Sequence, residues 1–304
     1  MQFPAIVEPW VPCTACNAPI TIPADWSRLY FEKRESYCGK CSDKVDWWKT
    51  LHKSIREKFM ETLAYSAVGA KNQLIRFELK AGQHKQMRFA DEGIPEDARI
   101  LDINYTPQGD SVFPVEMHGN RPHRHIPHLI DLYGIPIGVD LPDLPDPVSV
   151  MASVIWLCHA KDDESRRSLI DAFHFYGFGK YQETIVPANV AVESRITVLL
   201  DSVLRVVASG ERVKDFLSKG ATYSHQLNVI LPLLAKLTNL PGLDENIRGQ
   251  LNRLRDARND IAHRGKPDKI LDKASAAEML CAALFGFEYM EFVSPLLKAR
   301  FGVA

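Results

Sequence analysis

Hydrophobic residues recur at helical spacing soon after Cys41. Either Ser42 or Asp43 can serve as the N-cap of a helix at the start of this stretch. The apolar positions that follow at intervals of three or four are Trp48, Leu51, Ile55, Phe59 and Leu63. This pattern predicts an amphipathic helix that buries one face.

Between about residues 66 and 120 the spacing changes to the two-residue alternation of strands that bury one face. The alternating apolar positions are Ile75, Phe77 and Leu79, then Leu101, Ile103 and Tyr105, then Phe113, Val115 and Met117. A turn at Pro107–Gly109 separates the last two groups. The pattern predicts a small antiparallel β unit.

From Val148 onward we predict only helices, because the apolar faces are long and the connections are short. The predicted segments are 150–159, 164–176, 181–208, 212–217, 224–237, 244–262 and 274–297. Pro187 and Pro232 should start or kink their helices. The second half of the chain is therefore expected to be a helical bundle.

A segment rich in proline and aspartate, residues 141–147, gives the clearest domain boundary. We therefore predict an α+β multidomain protein with an N-terminal four-cysteine zinc ribbon, a small antiparallel β unit and a C-terminal all-α bundle. The expected divisions are a ribbon over 1–45, a helix with the β unit over 46–145, and the bundle over 146–304.

Composition and charge exclude some classes of function but do not identify one. The 304 residues are 46% hydrophobic and 25% charged, and the net charge is −1, which excludes a uniformly basic coat for nucleic acid. We find no apolar run near the ~18 residues that span a bilayer, and no pattern of a signal peptide. The expected location is the cytoplasm, without a membrane partner.

Four of the six cysteines form two Cys-x-x-Cys pairs close to the start of the chain. Cys13 and Cys16 are separated by 21 residues from Cys38 and Cys41. This spacing lets two metal-binding turns meet around one tetrahedral Zn²⁺. Four protein ligands leave no open position, so the zinc would be structural. The alternatives are reduced structural thiols or a redox-active pair.

Four of the ten histidines crowd into one short segment: His118, His123, His125 and His128. Imidazole and arginine at this density can bind a metal or an anion. The segment contains no Asp, Glu or Cys, and its prolines favour a loop. A solvated surface loop is therefore the favoured interpretation, with a metal site or an anion contact as the alternatives.

The most informative stretch is a predicted helix that begins after Asp244 as N-cap and stops at Gly265. Its packing face consists of Ile247, Leu251, Leu254 and Ile261. At roughly 100° per residue, Arg258 falls inside this apolar arc. Between Arg248 and Lys269 there are seven Lys or Arg and three Asp, a local balance of +4 that suits a phosphodiester backbone.

The run Leu254–Gly265 resembles the RNxxxH motif of the HEPN superfamily (higher eukaryotes and prokaryotes nucleotide-binding). In this run Arg258, Asn259 and His263 occupy the motif positions. Upstream, 168–181 and 188–204 look like the opening helix pair of that family, and 274–293 looks like its closing helix. The resemblance covers about residues 150–304 and implies an all-helical bundle that forms homodimers.

Many proteins of that family are metal-independent endoribonucleases. The resemblance makes Arg258 and His263 the catalytic pair and Asn259 a polar helper. It adds Glu193 as an accessory residue, although a structural salt bridge explains this acid equally well. The basic patch gives RNA-binding candidates, namely Arg255, Arg264 and Lys266.

Cleavage by attack of the ribose 2′-OH on the adjacent phosphate needs a proton acceptor and a cation but no catalytic metal. Proteins of this kind often serve as toxins or antiviral effectors, which implies a regulatory protein or ligand as a further partner. The alternatives are a non-catalytic HEPN dimer that binds RNA, nucleotide or protein, and a metalloenzyme built on the histidine segment.

Overall fold

A computed structural model describes residues 10–58, 61–79, 84–108, 115–118, 129–134, 148–158, 163–265 and 270–302. The described residues form two compact units. One unit comprises the described part of 69–163, and the other joins the described parts of 8–68 and 164–304. The predicted α+β class, with antiparallel sheets and a helical C-terminal region, is confirmed.

Within the described residues, every strand pairs with antiparallel neighbours. They are β1 (Trp10–Pro12), β2 (Pro19–Thr21), β3 (Lys71–Leu79), β4 (His84–Arg88), β5 (Arg99–Gln108), β6 (Val115–His118), β7 (Leu129–Gly134) and β8 (Val148–Leu157). The described sheets have the orders β1-β2, β3-β8-β5 and β4-β7-β6. The predicted strands at Ile75, Ile103 and Val115 correspond to β3, β5 and β6, whereas Phe113 lies outside the described residues.

The predicted helix over 150–159 is wrong, because Val148–Leu157 is the central strand β8. Ala152, Val154 and Trp156 are buried in the core of this unit. Residues 154–157 point alternately to both faces of the sheet and are all buried, so the end of this strand is continuously apolar and shows no period of two. The β-branched residues of this run were the available signal for a strand.

The helices account for most of the larger unit. They are α1 (Trp26–Phe31), α2 (Trp47–Lys58), α3 (Glu61–Ala67), α4 (Glu164–Gly177), α5 (Ile185–Leu204), α6 (Gly210–Asp215), α7 (Tyr223–His225), α8 (Leu231–Thr238), α9 (Glu245–Arg264) and α10 (Lys273–Phe301). Two π-helical turns, Phe216–Gly220 and Gln226–Ile230, flank α7. Pro232 starts α8, as its position predicts.

The helical unit also includes the N-terminal helices, which sequence analysis had placed in other domains. Trp26 and Tyr30 of α1 pack edge-on against Phe285 of α10, with ring centroids 4.9 and 4.8 Å away. Trp48 of α2 contacts the same ring at 5.3 Å. These aromatic contacts join the described parts of residues 8–68 and 164–304 in one compact unit.

The chain leaves the helical unit after α3 and returns to it at the start of α4. These two helices lie against each other, since the hydroxyl of Tyr65 and Nε2 of His174 are 3.0 Å apart. The carboxylate of Glu61 lies 4.0 Å from the same imidazole nitrogen. The β unit is therefore an insertion between two helices that are in contact.

Helix α10 is long and apolar enough to cross a membrane by length and composition alone. In the structure, about two thirds of its most apolar part is buried. The burial comes from packing against other helices, including α5 and α9. An apolar helix at the centre of a bundle has the same composition as a membrane span.

Gly286 allows α10 to approach α5 and α9 closely. A Cβ atom at this position would lie 3.1 Å from Leu251 Cδ1 and 3.2 Å from Val192 Cγ1. Gly286→Val should therefore lower the free energy of unfolding by about 1–3 kcal/mol through overpacking. Urea denaturation measures this change, and Gly249→Val is the control because an added Cβ there meets no atom within 4 Å. Equal effects of the two substitutions would contradict the close approach.

Glu288 of α10 accepts a hydrogen bond from Ser27 Oγ at 2.8 Å. Burial raises the pKa of this carboxyl from 4.5 to about 7, although the Ser27 bond opposes the change. The folded protein therefore holds a proton that the unfolded chain releases between these pH values. Stability supplied by this group is complete below about pH 4.5 and is lost as the pH rises through about 7.

We expect Glu288→Gln to remove this pH dependence and to raise the free energy of unfolding at pH 8 by up to about 3 kcal/mol. Unfolding by urea at several pH values between 4 and 8 measures the effect. Glu57→Gln, on the exposed side of α2, is the matched control and should leave the profile unchanged. A Glu288→Gln profile that still falls with pH would show that another group is responsible.

Candidate metal site and candidate nucleic-acid interface

The two Cys-x-x-Cys turns share one backbone conformation. The N–H of Asn17 donates to the carbonyl oxygen of Cys13 at 3.0 Å, and the N–H of Ser42 donates to that of Cys38 at 2.9 Å. Asn17 and Ser42 both have a left-handed backbone, with φ of 57° and 61°. Each pair of cysteines is therefore held in a tight turn that directs two sulfur atoms the same way.

The four sulfur atoms of these turns meet, as the spacing predicted. Cys13 Sγ lies 3.8 Å from Cys41 Sγ, and Cys16 Sγ lies 3.8 Å from Cys38 Sγ. All four sulfurs lie within 4.8 Å of one another. A regular tetrahedron with metal–sulfur bonds of ~2.3 Å has edges of about 3.8 Å, so the cluster has the size of a four-thiolate metal site.

The local backbone favours ionisation of one sulfur, and the crowding disfavours ionisation of another. Backbone N–H groups of Cys41 and Lys40 lower the pKa of the Cys38 thiol to about 6. The backbone N–H of Asp43 lowers the pKa of the Cys41 thiol, but burial and the neighbouring sulfurs together outweigh this effect. The net result is that the pKa of Cys41 is raised to about 12. Only a bound cation lets four such close sulfurs be thiolates together.

The second candidate site is the C-terminal end of α9, whose predicted N-cap and C-terminal stop are confirmed. Asp244 caps the helix by accepting a hydrogen bond from the Asn246 N–H at 2.8 Å, and Gly265 ends it with φ of 72°. Leu251 and Leu254 are buried, but Ile261 is only half-buried. The bundle therefore covers the first part of α9 and leaves its last two turns partly open to solvent.

The arginines of α9 have different partners. Four of the five lie within 4.0 Å of a carboxylate: Arg248 with Glu245, Arg253 with Glu278, Arg255 with Asp256, and Arg264 with Asp260. Arg258 is the exception among the described residues. Its Nη1 donates instead to the amide oxygen of Asn259 at 3.2 Å, and the side chain is half-buried.

The remaining motif residues lie on the open part of the helix. His263 is exposed in the last turn of α9, and Asn259 is half-buried beside Arg258. In an α-helix, residues five positions apart point in directions that differ by about 140°. Arg258 and His263 therefore start from different sides of α9, although both are accessible from solvent.

Glu193 has an amide partner rather than a cation among the described residues. Asn189 Nδ2 donates to its carboxylate at 2.9 Å. Burial raises the pKa of the nearby Tyr223 phenol, the Glu193 charge adds to this increase, and Arg255 opposes it. Glu193 and Arg255 therefore have opposite effects on the pKa of Tyr223. No contact within the described residues joins Glu193 to Arg258.

Two polar residues beside Glu193 were not predicted as part of a site. The hydroxyl of Tyr223 and Oδ1 of Asn189 are buried and have no hydrogen-bond partner among the described residues. Such atoms cost about 1–3 kcal/mol each unless a water or a ligand satisfies them. Asn189 could have been noticed, because it precedes Glu193 by four positions on an apolar helix, whereas nothing in the sequence distinguishes Tyr223.

Lys266 lies outside the described residues, as do His123, His125 and His128. His118 is the last residue of strand β6. The predicted loop, with its alternatives of a metal or anion site, therefore stays a prediction.

We compared the chain with family models, curated proteins and solved structures, and none of them matched. Its function is therefore inferred from the cysteine cluster and from the open end of α9.

Proposed function

We propose that this chain is a metal-independent endoribonuclease of the HEPN type. The observation that carries the proposal is the environment of Arg258, the α9 arginine without a carboxylate partner among the described residues. A guanidinium that is not neutralised can hold two phosphate oxygens at once. Arg258 would bind the non-bridging oxygens of the scissile phosphate and stabilise the charge that develops in the transition state.

His263 would transfer protons during the reaction, because imidazole exchanges protons near neutral pH and this side chain is accessible. The ribose 2′-OH loses its proton and attacks the adjacent phosphorus, and the bond to the leaving 5′-oxygen breaks. The products carry a 2′,3′-cyclic phosphate and a 5′-hydroxyl. Asn259 would fix the orientation of the Arg258 guanidinium through its amide oxygen.

RNA would bind along the open end of α9. We propose Arg255, Arg264 and Lys266 as contacts to the backbone phosphates. The carboxylates of Asp256 and Asp260 compete with RNA for the first two. Binding should therefore depend strongly on Arg258, which has no such competitor among the described residues.

We also propose a homodimer through the helical unit. The side chains of Arg258 and His263 leave α9 in different directions. This favours a dimer, because α9 of the second copy could place its own histidine near the phosphate that Arg258 holds. A role as a toxin or defence effector in the cytoplasm, restrained by a regulatory protein or ligand, is part of the same proposal.

For the cysteine cluster we propose one structural Zn²⁺ per chain. Sulfur donors in a tetrahedral arrangement are typical of zinc sites, and four ligands leave no position for a substrate. Elemental analysis of the purified protein tests this proposal separately from ribonuclease activity.

A non-catalytic binding dimer is the second candidate function. It is favoured by the acidic partners of four α9 arginines, which reduce the positive field around the motif. In that case RNA or a nucleotide would bind without being cut.

Cleavage of labelled single-stranded RNA, without added divalent metal, separates these candidates. The ribonuclease should release fragments with cyclic phosphate ends, and a single 2′-deoxy substitution at a mapped cleavage position should stop cleavage there, because the nucleophile is missing. Binding without any cleavage over the pH range 5–9 would support the second candidate.

A further inference from the structure

We infer that metal binding at the four cysteines controls the packing of α10. The cysteine module, residues 13–41, therefore links metal binding to the conformation of the helical unit. This inference rests on the proposed zinc site and not on the proposed ribonuclease activity. The connection between the cluster and α10 is the short helix α1.

Helix α1 lies in the insert between the two cysteine pairs, so the metal ligands hold both ends of the segment that contains it. The helix has six residues. A helix of this length is not stable in water on its own. Its conformation therefore depends on the cysteine turns at the ends of the insert and on the surface against which it packs.

That surface is α10. Besides the contacts of Trp26 and Tyr30 with Phe285, the ring of Phe31 lies 5.0 Å from that of Tyr289 and 5.8 Å from that of Phe292. Trp26 and Phe31 are buried. The α1 side of α10 would be exposed to water if α1 moved away, at a cost that grows with the apolar area uncovered.

Helix α10 also packs against the first half of α9, the helix whose C-terminal end is the candidate nucleic-acid interface. Gly286, next to Phe285, packs closely on Leu251 of α9. Gln250 Nε2 donates to Glu278 of α10 at 2.8 Å, and Arg253 Nη1 donates to the same carboxylate at 3.3 Å. The proposed path therefore follows the chain from the cysteines to α1 and then side-chain contacts from α1 to α10 and from α10 to α9.

Hydrogen exchange on the full chain tests the inference. The exchange rates of amides in 26–31 and 281–293 are measured before and after zinc is removed with a chelator. We expect both segments to exchange at least about tenfold faster without zinc. Strand β8, in the other compact unit, is the internal reference and should not change.

Two variants that keep all four cysteines make the test specific. Trp26→Leu should retain one zinc per chain, but its α10 should exchange at nearly the same rate with and without the metal. Tyr37→Leu is the matched control, because Tyr37 is an exposed aromatic residue of the same insert. This control should keep the full response to zinc removal.

The possible failures are distinguishable. A chain that binds no metal would overturn both the zinc proposal and the inference. One bound zinc, together with an exchange rate of 281–293 that changes less than twofold on its removal, would overturn the inference alone. A Trp26→Leu chain with an undiminished response would also overturn it, since the path through α1 would then be wrong.

Discussion

RNA cleavage is expected to fall by about 10³-fold when His263 is replaced with alanine. A side chain that transfers protons in the transition state contributes factors of this size. The folded state should be unaffected, since His263 is exposed in the last turn of α9. Single-turnover cleavage of labelled RNA measures the loss, and circular dichroism with thermal unfolding confirms that the variant is folded.

The control for this experiment is His225→Ala, which removes another exposed histidine of the helical unit. This variant should cleave RNA at the normal rate.

Arg258→Lys adds a second test at the motif. It keeps the positive charge but loses the two-pronged geometry, so it should also lose most of the activity. Normal cleavage by either motif variant would contradict the proposed roles.

Loss of the metal should have the second large effect. We expect Cys38→Ser to bind no zinc at equimolar metal and to lose about 4 kcal/mol of stability, within the range of the largest single-substitution effects. For a unit of this size the midpoint of thermal unfolding would fall by roughly 10 °C. Serine lacks a thiolate, and its hydroxyl is a poor zinc ligand. Zinc content and calorimetry measure the two changes.

Cys158→Ser is the matched control, because Cys158 lies outside the cluster at the end of β8. This variant should keep one zinc per chain and nearly the normal midpoint. A Cys38→Ser protein with unchanged zinc content would exclude the four-thiolate site. Unchanged stability after zinc is lost would instead mean that the cysteine turns hold their shape without metal.

Short-range patterns were sufficient for the features that depend on a few neighbouring residues. The spacing of Cys13, Cys16, Cys38 and Cys41 predicts their convergence, because each pair sits in a turn with its own hydrogen bonds. The ends of α9 were also predictable, since Asp244 and Gly265 act on adjacent backbone groups. In both cases the decisive interactions span only a few positions.

Features that depend on distant partners were not predictable. Strand β8 pairs with β3 and β5, which are distant in the sequence, and its continuously apolar end resembles a buried helix. The packing of α1 on α10 joins opposite ends of the chain, and no local pattern indicates it. The partner of Arg253 is Glu278 of α10, a distant residue that the helical periodicity of α9 does not indicate.

The contact between α3 and α4 has a consequence for how this chain can vary. The β unit is inserted between two helices that are in contact with each other, so a longer insert adds little to the entropy cost of closing the chain between them. Insertion of a different folded domain is tolerated at such a site. Homologous chains could therefore carry different domains, or a short linker, at this permissive junction while the helices and their cysteine module stay the same.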